Sequence, residues 1–289
     1  MTLTTTSLQA QPFFLKTADG QRFCLFHPAA APCRGGLLYL HPFGEEMNKS
    51  RRMAALQARA LAAQGYAVLQ LDLHGCGDSS GDFSEARWDG WLQDVALGRQ
   101  WLEARLGRPV GIWGLRLGAL LALDYARRAV ADGWRAPERL LLWQPVHNGA
   151  AFLTQFLRLR MANEMLASEA SGEAKTGTAA LRDMLRAGTP LEVAGYELAP
   201  ALADAFDALD MAALAPPCPV SWLDVVAAEG RAQSPAGAKI ARAWEQHGVA
   251  LDVQVAVGAQ FWATQEITDC PALVEATTAL FTRTEQHAV

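Results

Sequence analysis

The sequence predicts an α/β protein, a mostly parallel sheet flanked by helices, with a helical insertion interrupting it. Three observations lead there. Short apolar runs alternate with helix-period patterns over residues 1–148 and again over 216–289, the order that a parallel sheet with covering helices requires. Between them, 149–215 is mostly helical in pattern and breaks the alternation, as a cap or lid between two halves of one sheet does. The length, 289 residues with 51% hydrophobic, suits one large core. Residues 1–148 and 216–289 are therefore expected to form one discontinuous domain, with 149–215 as its cap.

Taken in order, 22–27 and 36–40 are the first expected strands. Ser50 then offers a helix cap, with Met53, Leu56, Ala60 and Leu61 on one face and Gly65 as the stop. A buried strand at 67–71 leads into a glycine-rich loop. Ser84 is the expected cap of a long helix to Leu106, in which Trp88, Trp91, Leu92, Val95, Trp101 and Leu102 recur at helical spacing. These tryptophans fit core packing rather than a base-stacking platform. Strand 110–113, helix 117–128 and strand 139–144 follow. Within the insertion, the small-residue stretch 167–180 predicts flexibility. After it come strand 220–226, a helix over 235–246, strand 251–257 and a last helix from Pro271.

A net charge of −5 gives no electrostatic footprint for nucleic acid. The five cysteines, Cys24, Cys33, Cys76, Cys218 and Cys270, are scattered without a C-x-x-C pair. That argues against a zinc knuckle or disulfide framework and for a reduced, cytoplasmic protein. Cys24, Cys33, Cys218 and Cys270 are expected as buried small hydrophobes. Residues 1–11 lack the charged-then-apolar order of a signal peptide, and no apolar run reaches membrane-spanning length. No motif calls for a cofactor.

Gly114-Leu115-Arg116-Leu117-Gly118 lies between an apolar strand and an apolar helix. A serine hydrolase places its nucleophile elbow, G-x-S-x-G, in this setting, because the central residue takes a strained turn and the helix must pack close to the strand. Both glycines are present; the serine is replaced by Arg116. His41-Pro42-Phe43-Gly44-Glu45-Glu46 follows the 36–40 strand, where hydrolases carry the oxyanion-hole loop. Asp72-Leu73-His74-Gly75-Cys76-Gly77-Asp78-Ser79-Ser80-Gly81 follows the next strand and looks like a hydrolase D-x-x-G-x-G-x-S turn. Its glycine spacing does not fit a dinucleotide fingerprint, and it does not open a helix.

These segments, HPFGEEMNKSRR (41–52), DLHGCGDSSGDF (72–83), WGLRLGA (113–119), LLLWQPV (140–146) and FWATQEI (261–267), resemble the type 2 hydrolase associated with the exosortase A system. That is a bacterial family encoded near exopolysaccharide and PEP-CTERM protein-sorting genes. The resemblance implies an α/β-hydrolase fold and a role in surface polysaccharide export; it supplies no substrate.

Serine-hydrolase chemistry needs a nucleophile, a histidine and an orienting carboxylate. Arg116 stays protonated and cannot be the nucleophile. The loop after 251–257, Gly258-Ala259-Gln260-Phe261-Trp262, has no histidine; His247 precedes the strand and His287 lies in the tail. Asp224 stands in the strand where the acid belongs, as a relic. Three histidines, His41, His74 and His147, follow strands and can line one crevice, since ligands gather at the carboxyl ends of parallel strands. Cys76 with His74, or Ser79 and Ser80, are the substitute nucleophiles to weigh, against the plainer reading that they fit a tight turn. No spacing suggests that the three histidines hold zinc. Glu45 or Glu46 either serves as a base or pairs with Arg116, Arg51 or Arg52; pairing is favoured, because a charge in an elbow pocket is costly without a partner.

Three functions follow. The first is a degenerate hydrolase in which Arg116 binds a small anionic or acyl ligand, with His41, Phe43, Gly44, Glu45, Glu46, His74, His147 and Trp262 around it. The second is an ester or thioester hydrolase with an unconventional nucleophile. The third is a non-catalytic partner of the export machinery, signalled by exposed apolar surface on the cap.

Overall fold

The computed structural model describes residues 9–168, with side chains to 162, and 177–282. Among these, eight strands form one sheet in the order β1-β2-β4-β3-β5-β6-β9-β10. They are β1 (Gln11–Thr17), β2 (Gly20–His27), β3 (Gly35–Leu40), β4 (Tyr66–Leu71), β5 (Gly111–Leu115), β6 (Leu140–Trp143), β9 (Val220–Val226) and β10 (Leu251–Val257). β1 and β2 form an antiparallel hairpin that pairs antiparallel with β4, and every later pairing is parallel.

The parallel strands read as continuous apolar runs because helices cover both of their faces. Alternate side chains supply two cores. Leu37, Tyr39, Trp113, Leu115, Leu141 and Trp143 pack towards α1 (Glu45–Ala63) and α8 (Pro271–Thr282). Leu38, Leu40, Ile112, Leu140 and Leu142 pack towards α2 (Trp88–Leu106), α3 (Leu117–Ala131) and α7 (Pro235–Gln246). The expected tryptophans fall in the second core: Trp88 and Trp91 are buried, and Trp101 stacks beside Phe13 and Phe26.

The insertion between β6 and β9 holds α4 (Gly149–Ser168), α5 (Thr178–Arg186), a hairpin of β7 (Leu191–Val193) and β8 (Tyr196–Leu198), and α6 (Pro200–Asp207). It sits on the carboxyl end of the sheet: Phe152, Phe156 and Phe206 surround Phe43, with ring centroids 5.0–5.7 Å away. Phe43 also meets Phe83 and Trp91 from the core side. The expected flexibility of 167–180 falls largely outside the described residues, as does His287.

Several expectations need correction. The first helix starts at Glu45, six residues early, because Gly44 at φ 55° turns the chain directly into it. Ser50 is buried inside that helix and caps nothing. Ser84 lies in a single 3-10 turn held by an Asp82–Glu85 capping box, and α2 starts at Trp88. The β1 strand and the β7–β8 hairpin went unforeseen. Gln144, expected within a strand, takes φ 41° and ties β6 to β9 through Val225 N–H, 2.7 Å from its Oε1. All five cysteines are free thiols, but only Cys24, Cys76 and Cys270 are buried; Cys33 is exposed, since it precedes β3 in a surface loop.

Candidate active site

The site lies where loops after β3 and β5 leave neighbouring strands at the reversal of the sheet order, the crevice where α/β sheets bind ligands. Arg116 is the turn residue between β5 and α3, at φ 55° and ψ −119°. The framing glycines are needed for contact. A Cβ on Gly114 would stand 2.5 Å from Ala119 Cα, and one on Gly118 would stand 2.4 Å from the Leu40 carbonyl oxygen. The strained turn and close helix–strand packing of a nucleophile elbow are thus intact around an arginine.

The Arg116 side chain meets Glu46 in the first turn of α1. Its Nε lies 3.3 Å from both carboxylate oxygens, and its Nη2 lies 3.3 Å from Oε1. On another side the guanidinium carbon sits 5.5 Å from the centroid of the Trp262 ring. Trp262 is buried in the loop after β10, where the chain order of this elbow type would place a histidine. Burial pushes the Glu46 carboxyl above its ordinary value, and Arg116 only partly opposes that. The other two arginines have different partners: Arg51 binds Asp72 at 3.1 Å and Arg52 binds Asp269 at 2.7 Å.

His147, in the loop after β6, packs its ring against Trp222 at 5.4 Å, and its Nε2 is buried without a hydrogen-bond partner. Burial holds the imidazole below its ordinary value; Arg116 adds to this, while Asp224 and Asp210 oppose it. Asp224 is buried within β9, accepts a 2.7 Å bond from Trp222 Nε1, and is pushed up by that burial. His147, Arg116, Glu46 and Asp224 form the site's electrostatic group.

The remaining expected site residues lie elsewhere. His41 is buried and saturated: Leu73 N–H donates to Nε2 at 3.3 Å, so Nδ1 donates to the Pro42 carbonyl at 2.8 Å. His74 stands 3.4 Å from Asp19, beside the β1–β2 turn, and its backbone N–H donates to Asp94. The three histidines therefore do not share one crevice, and among the described residues no three His, Cys, Asp or Glu side chains gather as metal ligands.

The substitute nucleophiles are structural. Ser79 Oγ donates to the Asp72 carbonyl and accepts from Phe23 N–H, and Ser80 Oγ accepts from Gln21 N–H. The Cys76 thiol is buried beside Asp72 and Asp94, and burial raises it far above a reactive range. Glu45 accepts from Asn48 and from the Tyr196 hydroxyl of β8, so it anchors the insertion. Burial, then Glu45, push the Tyr196 hydroxyl up to about 12. Tyr196 and Trp222 were not foreseen; Tyr196 sits in the unforeseen hairpin, and Trp222 reads simply as strand core.

A void of about 10 Å³ lies between His41, Phe43, Leu117 and Gly118. A groove of about 400 Å³ between α2 and α3 does not reach Arg116. With no nucleophilic lone pair at Arg116 and no imidazole in the loop after β10, the site cannot form an acyl-enzyme at the elbow by serine-triad chemistry.

Known proteins share this architecture. A ferulic-acid-bound Est1E from Butyrivibrio proteoclasticus superposes with a TM-score of 0.64 at 13% identity, covering 95% of this chain and 99% of that one. A thermostable carboxyl esterase from Bacillus coagulans gives 0.64 at 14% identity, covering 97% and 99%. Among curated proteins, lysophosphatidylserine lipase ABHD12 of Danio rerio is 34% identical over 113 residues, 39% of this chain and 28% of that protein. The match thus spans under a third of that relative's length. No helix of the described residues is long and apolar enough to cross a membrane. Residues 31–187, which contain the β3 loop, the elbow and the start of the insertion, match the family model of serine aminopeptidase S33, and the chain belongs to that family of α/β-hydrolases.

Proposed function

We propose that this protein is a non-hydrolytic member of its family that binds a small anion through Arg116. One observation carries the proposal: an otherwise intact elbow presents a guanidinium, stacked on Trp262, where hydrolysis needs a serine and a histidine. A guanidinium recognises planar or tetrahedral oxyanions through paired N–H donors. The segments 41–52, 72–83, 113–119, 140–146 and 261–267 support placing it with the exosortase A-associated type 2 hydrolases, and so beside surface-polysaccharide export proteins in a bacterium. Five free cysteines favour a reducing, cytoplasmic setting.

The test is chemical. Fluorophosphonate and iodoacetamide probes, and short-chain aryl esters, are expected to give no rapid labelling of a single residue and no turnover. Labelling of one residue, with turnover lost on its substitution, overturns the proposal. Arg116→Ala and Arg116→Ser are expected to abolish anion binding. If both keep wild-type anion affinity and only melt earlier, Arg116 is structural and the proposal fails.

A further inference from the structure

The contact between Arg116 and Glu46 is at the long end for the ion pairs of this chain, beside Arg51–Asp72 at 3.1 and 3.4 Å. All three N···O distances are 3.3 Å, whereas a committed charge-assisted pair closes to about 2.7–2.9 Å. Elsewhere in this chain, arginine pairs close to 2.7 Å, at Arg22–Asp94 and Arg52–Asp269. Both partners are also incompletely covered, with side-chain exposures of 17% and 22%. Glu46 is therefore partly exposed and bonded to Arg116 at longer range than those pairs, so another carboxylate can compete for the guanidinium.

Resting on the anion-site reading above, we propose that Glu46 is a resident stand-in for the ligand, and that the site takes a free carboxylate which displaces Glu46 from Arg116. The resident partner is itself a carboxylate, and that points to a carboxylate ligand. Nε and Nη2 face its two oxygens side-on, and the guanidinium carbon sits 5.5 Å from the centroid of the Trp262 ring. Arg116 acts electrostatically on His147, whose buried Nε2 has no hydrogen-bond partner within the protein.

The exchange is pH-dependent. Burial already raises the Glu46 carboxyl, so as pH falls it protonates sooner than an ordinary glutamate and frees Arg116. The charged groups facing Glu46 are Arg116 from the elbow and Lys49 from its own helix; those facing Arg116 include His147 from the β6 loop and Asp224 from β9. Protonated His147 would also attract anions, so the two groups must be separated.

Trifluoroacetate, which stays ionised throughout, is titrated by ¹⁹F NMR into wild type, Glu46→Gln and Arg116→Met/Glu46→Gln, with inorganic phosphate as competitor. Wild-type affinity is expected to rise as pH falls from about 8 to about 5.5, as protons displace the competing carboxylate. Glu46→Gln should bind about tenfold tighter at the upper pH, because the competing occupied state is gone, and should show a flat profile. The double variant, which leaves no buried charge uncompensated, should not bind. If neither wild type nor Glu46→Gln binds trifluoroacetate or phosphate, the anion site itself is wrong. If wild type binds and Glu46→Gln binds no tighter, the stand-in is overturned while the anion site survives. A pH dependence that persists in Glu46→Gln assigns it to His147 and overturns the exchange, and phosphate outcompeting trifluoroacetate overturns the ligand class.

Discussion

His27, at the end of β2, is 2% exposed, and both of its ring nitrogens are buried without partners. Burial, helped by Arg59, lowers its pKa from 6.5 to about 4. The folded state thus prefers the neutral ring, while the unfolded chain takes up a proton near its ordinary value. The stability from excluding that proton is complete above pH 6.5 and drains away as pH falls towards 4. At about 1.4 kcal/mol per unit, the loss is on the order of 3 kcal/mol. His27→Phe is expected to flatten the acid limb of a melting-temperature profile between these values; an unchanged limb would assign it to other groups. At this scale the sequence told part of the story. A guanidinium in an elbow pocket needs a counter-charge, which made a glutamate partner for Arg116 foreseeable. Arg52 bonding to Asp269 was not, because that pairing depends on α8 folding back beside α1. Ser79 and Ser80 looked like nucleophiles only while the β1–β2 hairpin that they tie down was invisible.

The element most exposed to a single change is the β7–β8 hairpin. Its Tyr196 hydroxyl bonds Glu45 at 3.2 Å and Asn48 at 3.3 Å, joining the insertion to the first turn of α1. Tyr196→Phe keeps the ring contact with Phe83 and removes these bonds. The expected loss is about 0.5–1.5 kcal/mol, with faster amide exchange confined to β7 and β8. Exchange rates equal to wild type would show that the ring alone holds the hairpin. The hairpin escaped the sequence because its turn, Ala194–Gly195, has both residues at positive φ, 51° and 83°. Such a turn is signalled by Asn-Gly or Asp-Gly, and alanine at the first position hides it. Strands β9 and β10 and helix α7 were legible to the residue, since their apolar periods and the Ser234–Pro235 cap agree with their packing.

Over the whole molecule, the sheet ends on two unequal edges. β1 carries Pro12 and Lys16, both exposed, which discourage a further strand. β10 pairs only with β9 and leaves Val255 and Val257 40% and 39% exposed, with no lysine or proline along it. Val255→Lys is expected to delay heat-induced light scattering while leaving the melting temperature within the change of an ordinary surface substitution. Scattering that begins at the same temperature would place the association elsewhere. That the sheet is mainly parallel and covered by helices followed from alternation of apolar runs, because each parallel crossover writes a helix into the sequence. Which strand would be left bare did not, because the order of strands across a sheet is set by packing of distant segments.

Gly44 and Arg116 share one more property. Each takes φ 55° immediately before a long helix, and the contact between Glu46 and Arg116 brings the two helix starts together. Each start carries roughly half a positive charge from its aligned peptide dipoles. Added to the guanidinium, they form the positive side of the elbow, which Glu46, Glu45 and Asp224 offset in a molecule with net charge −5. The field that would stabilise an oxyanion for an instant in a hydrolase here acts continuously, on the Glu46 carboxylate.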